Sequence, residues 1–298
     1  MLQPPARHLL FTTDVLVEGV DFSWKWCSGR DVGWKAIAVN ASDIAAMGGR
    51  PRHALVTLAL PPATPVAIVD AVTDGLVESA AGVGVGLAGG DISGASEMSL
   101  GVAMLGAAGP DGPVTRRGSW VGDAICVTGH LGGAAGGLVA LRRGLVSRDA
   151  APALARLAAR QLRPRARVEE GPVVAAAGAT SMIDVSDGLL LDLRRLMTAA
   201  GHGCVVDPCS VPIDPDLAAL EAVLAQKDAV ASLALAGGED FELLFTIEEE
   251  RVGAARDGLA AVGAQMTRIG VVTARGLRFG DEDIENLEEL GWEHLRTP

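Results

Sequence analysis

A two-domain α/β chain, of the α+β kind, is the fold predicted by three observations. Short β-type runs alternate with helical-period runs along the whole sequence. Hydrophobic residues make up 49% of the 298, yet aromatics are only 3% and tyrosine is absent. Ala, Val, Leu and Gly therefore carry the core, as suits sheets and helices whose backbones approach closely. Residues 107–113 are rich in Gly and Pro and separate two stretches, each with its own alternation. That places an N-terminal domain at 1–115 and a C-terminal domain at 116–298.

Taken in order, residues 8–13 read as a buried strand ending in Thr12-Thr13-Asp14. Asp31 is placed to cap a helix running to Met47, stopped by Gly48-Gly49 and followed by Pro51. Residues 54–60 form a strand closed by Pro61-Pro62, and residues 64–81 a helix with Val66, Val69, Val72, Leu76 and Val77 on one side. Residues 83–88 read as a strand ending in Gly89-Gly90-Asp91, and 98–105 as another. In the second half, 124–128 is a strand, and 134–143 and 151–162 are helices. Residues 181–185 then deliver Ser186-Asp187-Gly188 to a helix reaching about Ala200. Residues 201–206, 242–247 and 267–272 read as further strands.

The formal net charge of −12 argues against a nucleic-acid partner, since no basic stripe exists to neutralise phosphates. No stretch reaches the roughly 18 apolar residues of a membrane span. The start, Met1-Leu2-Gln3-Pro4-Pro5, lacks the basic-then-apolar pattern of a secretory signal. Cys27, Cys126, Cys204 and Cys209 form no CxxC pair, which reads as reduced thiols in a cytoplasm. Much of the acidity is surface charge, notably Asp281, Glu282, Asp283, Glu285, Glu288 and Glu289.

Other acids sit where surface charge does not explain them. Asp14 and Asp91 follow β-type runs, and Asp184 and Asp187 bracket a strand-to-helix turn, where Asp187 also reads as a helix cap. Asp43 lies in a mostly apolar helix, a costly place for a carboxylate without a partner. Singly, each has an ordinary structural reading as a turn, cap or solvated residue. As a set, at strand ends where open α/β sheets bind ligands, they suit magnesium. That ion takes a few carboxylate oxygens and leaves positions for water and phosphate. Phosphoryl transfer depends on this arrangement, being mostly positioning and charge neutralisation. Gly89-Gly90, Gly132-Gly133 and Gly237-Gly238 admit close approach of backbone amides to phosphate, and Arg116 and Arg117 offer cations for a polyphosphate. There is no GxxxxGK[ST] loop and no protein-kinase HRD or DFG set.

The chain resembles the thiamine-monophosphate kinases of the AIR synthase-like superfamily of ATP-binding enzymes. The resemblance is carried, in order, by TTDVLVEGVDF (12–22), DVGWKAIAVNASDIAAMGGRPR (31–52), AGGD (88–91), RRGSWVGDAICVTG (116–129), LRPRARVEEG (162–171), IDVSDGLLLDL (183–193) and GGEDFELLF (237–245). It implies an N-terminal mixed sheet with helices and a C-terminal α/β domain, usually in a homodimer. It also implies direct in-line transfer of the ATP γ-phosphoryl group to thiamine monophosphate, with no covalent nucleophile. Carried over by motif, Thr12, Thr13, Asp14, Asp43, Asp91, Asp184 and Asp187 resemble magnesium ligands. Gly90, Asp91, Arg116 and Ser186 resemble ATP contacts, and Asp21, Glu239 and Trp292 substrate contacts.

Two departures accompany the resemblance. A Gly-Asp-Asp-Ala segment is expected ahead of the strand holding Thr12; the sequence begins downstream of it, so one expected aspartate ligand is missing and the first sheet is expected to expose an edge. Asp21 stands where the family often has histidine. The alternatives are a hydrogenase-maturation or selenophosphate-synthetase type of the same superfamily, or a catalytically impaired nucleotide-binding homologue.

Overall fold

The computed structural model describes residues 8–147, 150–224, 228–286 and 290–292. The Met1–Pro5 start, Glu288, Glu289 and the Glu293-His294 pair beside Trp292 lie outside the described residues. Two compact units emerge, Met1–Pro113 with Leu162–Val168, and Val114–Gln161 with Glu169–Pro298.

The first unit is a four-stranded mixed sheet with helices on one face. Its elements are β1 (Leu9–Val17), α1 (Gly29–Ala46), β2 (Arg50–Leu60), α2 (Val66–Gly82), β3 (Gly86–Gly94) and β4 (Ser99–Ala107). The strand order is β1-β4-β2-β3, antiparallel except for the parallel β2/β3 pair. Leu10, Leu16, Ala54, Leu58, Leu100, Val102 and Met104 alternate onto the face that meets the helices, giving one apolar core with Ile37, Ile44, Val72 and Leu76. Ser28, rather than Asp31, caps α1. The Asp31 amide donates to Ser28 Oγ at 3.3 Å, and the Ser28 amide returns a bond to Asp31 Oδ2 at 3.0 Å. That reciprocal pair is a capping box, which needs the acid at the third helical position rather than at the cap. Arg163 closes on the same acid at 2.7 Å, and Trp34 Nε1 donates to Pro164 O at 2.9 Å, so the short 162–168 segment is stitched to this unit.

Two strand boundaries differ from those expected. Asp14 lies inside β1 and Gly89-Gly90-Asp91 inside β3, not at their ends. The ladder of backbone bonds runs past the polar residues: Asp14 pairs with Val102, and Asp91 with Thr57. Polarity in these strands marks the face and edge a residue occupies, not the end of pairing.

The second unit is built on a seven-stranded sheet of order β11-β10-β7-β9-β5-β8-β6. Its strands are β5 (Ala124–Thr128), β6 (Ala179–Asp184), β7 (Gly203–Val206), β8 (Leu243–Ile247), β9 (Met266–Thr273), β10 (Leu277–Phe279) and β11 (Glu282–Asp283). The helices are α3 (Gly133–Arg142), α4 (Pro152–Leu162), α5 (Glu170–Ala176), α6 (Leu189–Ala200), α7 (Leu217–Leu224), α8 (Asp228–Ala236) and α9 (Val252–Ala261). β5 and β8 are buried at every residue, which explains their largely apolar runs, interrupted only by Thr128 and Thr246. β6 is an edge strand whose last residue is Asp184, and the chain turns from it directly into α6. All four cysteines are free thiols.

Candidate functional site

In the first unit, Thr12 and Asp43 are brought together: Thr12 Oγ1 donates to Asp43 Oδ2 across the β1–α1 contact. This answers the question posed by a carboxylate in an apolar helix, for Asp43 is half-buried with a hydroxyl partner. Asp14, two residues along β1 from Thr12, shares its face, while Thr13 between them points to the other. Both are exposed. Asp91 is not brought to this group. Its row in the sheet is Asp91–Thr57–Gly101–Val15, one step from the row Gly90–Val56–Val102–Asp14 and therefore on the opposite face. Three strand spacings of about 4.8 Å also separate β3 from β1. Gly90 has a structural reason to be glycine, since a Cβ there would lie 1.9 Å from Val56 O. Asp21 is folded back on its own loop, with Oδ2 accepting the Val17 amide at 2.8 Å. The buried Lys35 donates from Nζ to the Asp21 carbonyl at 3.3 Å. These contacts explain how an acid is held in place of histidine.

In the second unit, the expected residues gather around the end of β6. Asp184 is buried at the strand's last position, and Ser186 and Asp187 follow in the turn. The turn is shaped by a residue the sequence reading missed. Asp192 Oδ2 accepts the amides of Ser186, Asp187 and Gly188 at 3.0, 2.9 and 3.2 Å. Asp187 is thus not the cap of α6; Gly188 occupies that position, without a side chain to bond, and Asp192 accepts the amides from within the first turn. Arg195 bonds both acids, donating to Asp187 Oδ2 and, at 2.8 Å, to Asp192 Oδ1. Burial pushes the Asp192 carboxyl above its ordinary pKa, against the pull of the Asp187 amide and Arg195.

Two further segments are tied to this turn by backbone bonds. The Trp292 amide donates to Asp187 O at 2.8 Å, and the Leu191 amide donates to Leu290 O at 3.0 Å. Trp292 is 55% exposed. The Glu239 and Phe241 amides donate to Ser186 O at 2.8 Å and Val185 O at 2.9 Å. Glu239 and Phe241 both adopt positive φ, 69° and 51°, a conformation costing about 1–3 kcal/mol for each non-glycine residue. Gln161, buried at the end of α4, donates to the Glu239 carboxylate. Asp240 between them accepts the Gly132 amide at 2.6 Å and the Ala134 amide at 3.1 Å. Burial lifts the Asp240 pKa to about 7 despite those two bonds, and Glu242 and Asp214 add repulsion. Arg116 stands on an exposed segment lying along the open edge of β6, where the Met182 amide donates to Thr115 O at 3.3 Å. A Cβ on Gly118 would sit 1.9 Å from Thr180 O, so glycine allows that approach.

Chemically, the donors are carboxylates, hydroxyls and amides, a hard oxygen set suited to magnesium and phosphate rather than to a soft metal. Among the described residues, no three His, Cys, Asp or Glu side chains form a ready metal cage. Magnesium held partly by phosphate and water fits so sparse a set. Burial raises Cys126 and Cys204 to about 12, which leaves neither as a thiolate nucleophile. Among the described residues, no helix is long and apolar enough to cross a membrane.

The sequence pattern of the AIR synthase related protein, N-terminal domain, matches residues 1–108, and that of the C-terminal domain matches residues 121–281. The thiamine-monophosphate kinase of Rhodopirellula baltica is 35% identical over 302 aligned positions, covering 99% of this chain and 86% of that protein. A solved structure of AaThiL complexed with AMPPCP and TMP superposes with a TM-score of 0.86 at 32% identity, covering 96% of this chain and 87% of that one. The Escherichia coli hydrogenase maturation protein HypE, at 20% identity and a TM-score of 0.74 over 96% of this chain and 88% of its own, shares the fold alone. With the ordered motifs, both domain patterns and full-length identity in agreement, the chain belongs to the thiamine-monophosphate kinase family.

Proposed function

We propose that this chain transfers the γ-phosphoryl group of ATP directly to the phosphate of thiamine monophosphate, giving thiamine diphosphate and ADP. The observation that carries the reading is the turn at 185–188. Two backbone bonds, from Glu239 and Trp292, join two of the three candidate substrate contacts to Ser186 and Asp187, the candidate nucleotide and metal residues. A structure of a relative complexed with both AMPPCP and TMP supports the same pair of ligands.

In this reading Ser186 and Arg116 are the ATP contacts of the second unit, and Gly90 and Asp91 those of the first. Glu239 faces the cationic thiamine, Trp292 offers its exposed indole to an aromatic ring, and Asp21 contacts the substrate through an intervening cation, since a carboxylate repels phosphate. Thr12, Asp14 and Asp43 on one face of the first sheet, Thr13 and Asp91 on its other face, and Asp184 and Asp187 in the second unit would each offer oxygens to magnesium, whose chemistry is to neutralise phosphate charge. Direct transfer requires no protein nucleophile. The four free cysteines accord with a cytoplasmic enzyme.

A homodimer completes the proposal. Leu9, Phe11, Val15 and Leu55 are each more than half exposed and share the helix-free face of the first sheet, a patch that suits a second copy. Asp91 lies on that same face. Light scattering should return twice the chain mass, and Phe11→Asp should return one.

Purified chain with ATP, magnesium and thiamine monophosphate should form ADP and thiamine diphosphate in equal amounts. Binding of both ligands without ADP would instead identify an impaired homologue. ADP formation that ignores thiamine monophosphate would point to another enzyme of the superfamily.

A further inference from the structure

We propose that Asp240 is a positioning residue for thiamine monophosphate, clamping the turn that presents Glu239. The proposal rests on the reading of Glu239 as a substrate contact. Three observations meet here. The Asp240 carboxylate spans two amides at the start of α3, Gly132 at 2.6 Å and Ala134 at 3.1 Å. The residues on either side, Glu239 and Phe241, both hold left-handed backbone that side chains disfavour. Their amides are bonded to Ser186 O and Val185 O, so the turn is fixed to the nucleotide loop on one side and, through Asp240, to α3 on the other.

A pair of left-handed non-glycine residues persists only where surrounding contacts over-determine the backbone. The contacts visible here are the two amide–carbonyl bonds, the Asp240 clamp and the Gln161 bond to the Glu239 carboxylate. Asp240 itself points away from Glu239 and toward α3, so it acts through the turn and not on the substrate. Gly132 has positive φ, 86°, and a Cβ there would lie 2.8 Å from Ala234 Cα. The residue whose amide Asp240 grips is therefore packed closely against α8. Releasing the clamp frees Glu239 to relax from the one conformation that faces its ligand, and a shift of about 1 Å in a positioned group costs up to about 100-fold.

The test uses the full chain with Asp240→Asn, which keeps the shape but has only one acceptor oxygen for two amides, alongside Glu239→Gln. KM for thiamine monophosphate, KM for ATP, kcat and the thermal midpoint are measured for each. The expected result for Asp240→Asn is a folded protein whose KM for thiamine monophosphate rises about tenfold or more, with KM for ATP within about twofold. Asp240→Glu, which restores both acceptors, should recover part of that loss. A folded Asp240→Asn with an unchanged KM for thiamine monophosphate, while Glu239→Gln raises it, overturns the positioning role and leaves the Glu239 reading standing. An unaffected Glu239→Gln overturns both, because nothing would remain to position. A parallel rise in both KM values marks a merely structural role and also overturns the proposal. If Asp240→Asn is recovered unfolded, Asp240→Ser, with one acceptor on a shorter arm, takes its place under the same criteria.

Discussion

The two units hold their functional acids in different ways. In the first, Thr12 and Asp43 meet on the helix-covered face of the sheet, which Asp14 shares, and Asp91 occupies an exposed edge strand on the other face. In the second, Asp187 sits in a turn whose three amides are gathered by one buried carboxylate and whose charge is paired with Arg195. One unit supplies side chains on a regular ladder; the other supplies a turn already folded around a fixed acceptor. Preorganised groups of the second kind lose little freedom when a ligand arrives, so substrate orientation should be governed there.

The largest expected effect tests whether both arrangements serve the chemistry. Asp187→Asn and Asp91→Asn should each lower kcat by about 100- to 1,000-fold. Asp91→Asn should leave the thermal midpoint nearly unchanged, because its side chain is exposed. Full activity in either variant removes that unit's acid from the site.

Stability should separate the units next. Asp192→Ala abandons three amides and Arg195 at a buried site and should cost about 3–5 kcal/mol in denaturant unfolding. Thr12→Val removes one bond to a half-buried acid and should cost about 1 kcal/mol. Equal costs would erase the contrast.

The pH response of two structural acids should have opposite sign. Asp240 is raised by burial to about 7, so its contribution to stability is fully present below about pH 3.8 and is lost as pH rises toward 7. The slope for one proton is about 1.4 kcal/mol per pH unit, and Asp240→Asn should flatten it. Asp31 behaves oppositely. Burial raises it, but bonds from Ser28 and Arg163 outweigh that and hold it below the usual carboxylate value. Its contribution is present above about pH 3.8 and lost as pH falls below it, and Asp31→Asn should flatten that acid limb. Ser28→Ala should also cost only about 1 kcal/mol, through the α1 capping box, and leave kcat unchanged.

Much of the fold was legible because its signals are local. β5 matches residues 124–128 as read from its apolar run, and α6 and α4 end at Ala200 and Leu162, the ends their sequence patterns predict. Asp14 and Asp91 misled as strand ends, since polar residues on an open face look like the end of a strand when only one chain is read. Asp192 was invisible for a different reason. In LLLDLRR it resembles the polar stripe of an amphipathic helix, and only folding turns it back onto amides four to six residues earlier. Asp240 lay inside a motif that was noticed, yet its partners are more than a hundred residues away. Gln161 carried no signal at all, being an ordinary helix residue until it meets Glu239.

Native-state hydrogen exchange at Ser186, Asp187 and Gly188, with no ligand added, bears most directly on a turn built before its ligands arrive. Bonded to a buried carboxylate, these three amides should exchange within about tenfold of the slowest amides in β8. Exchange as rapid as that of the exposed turn at 109–112 would contradict a preformed site.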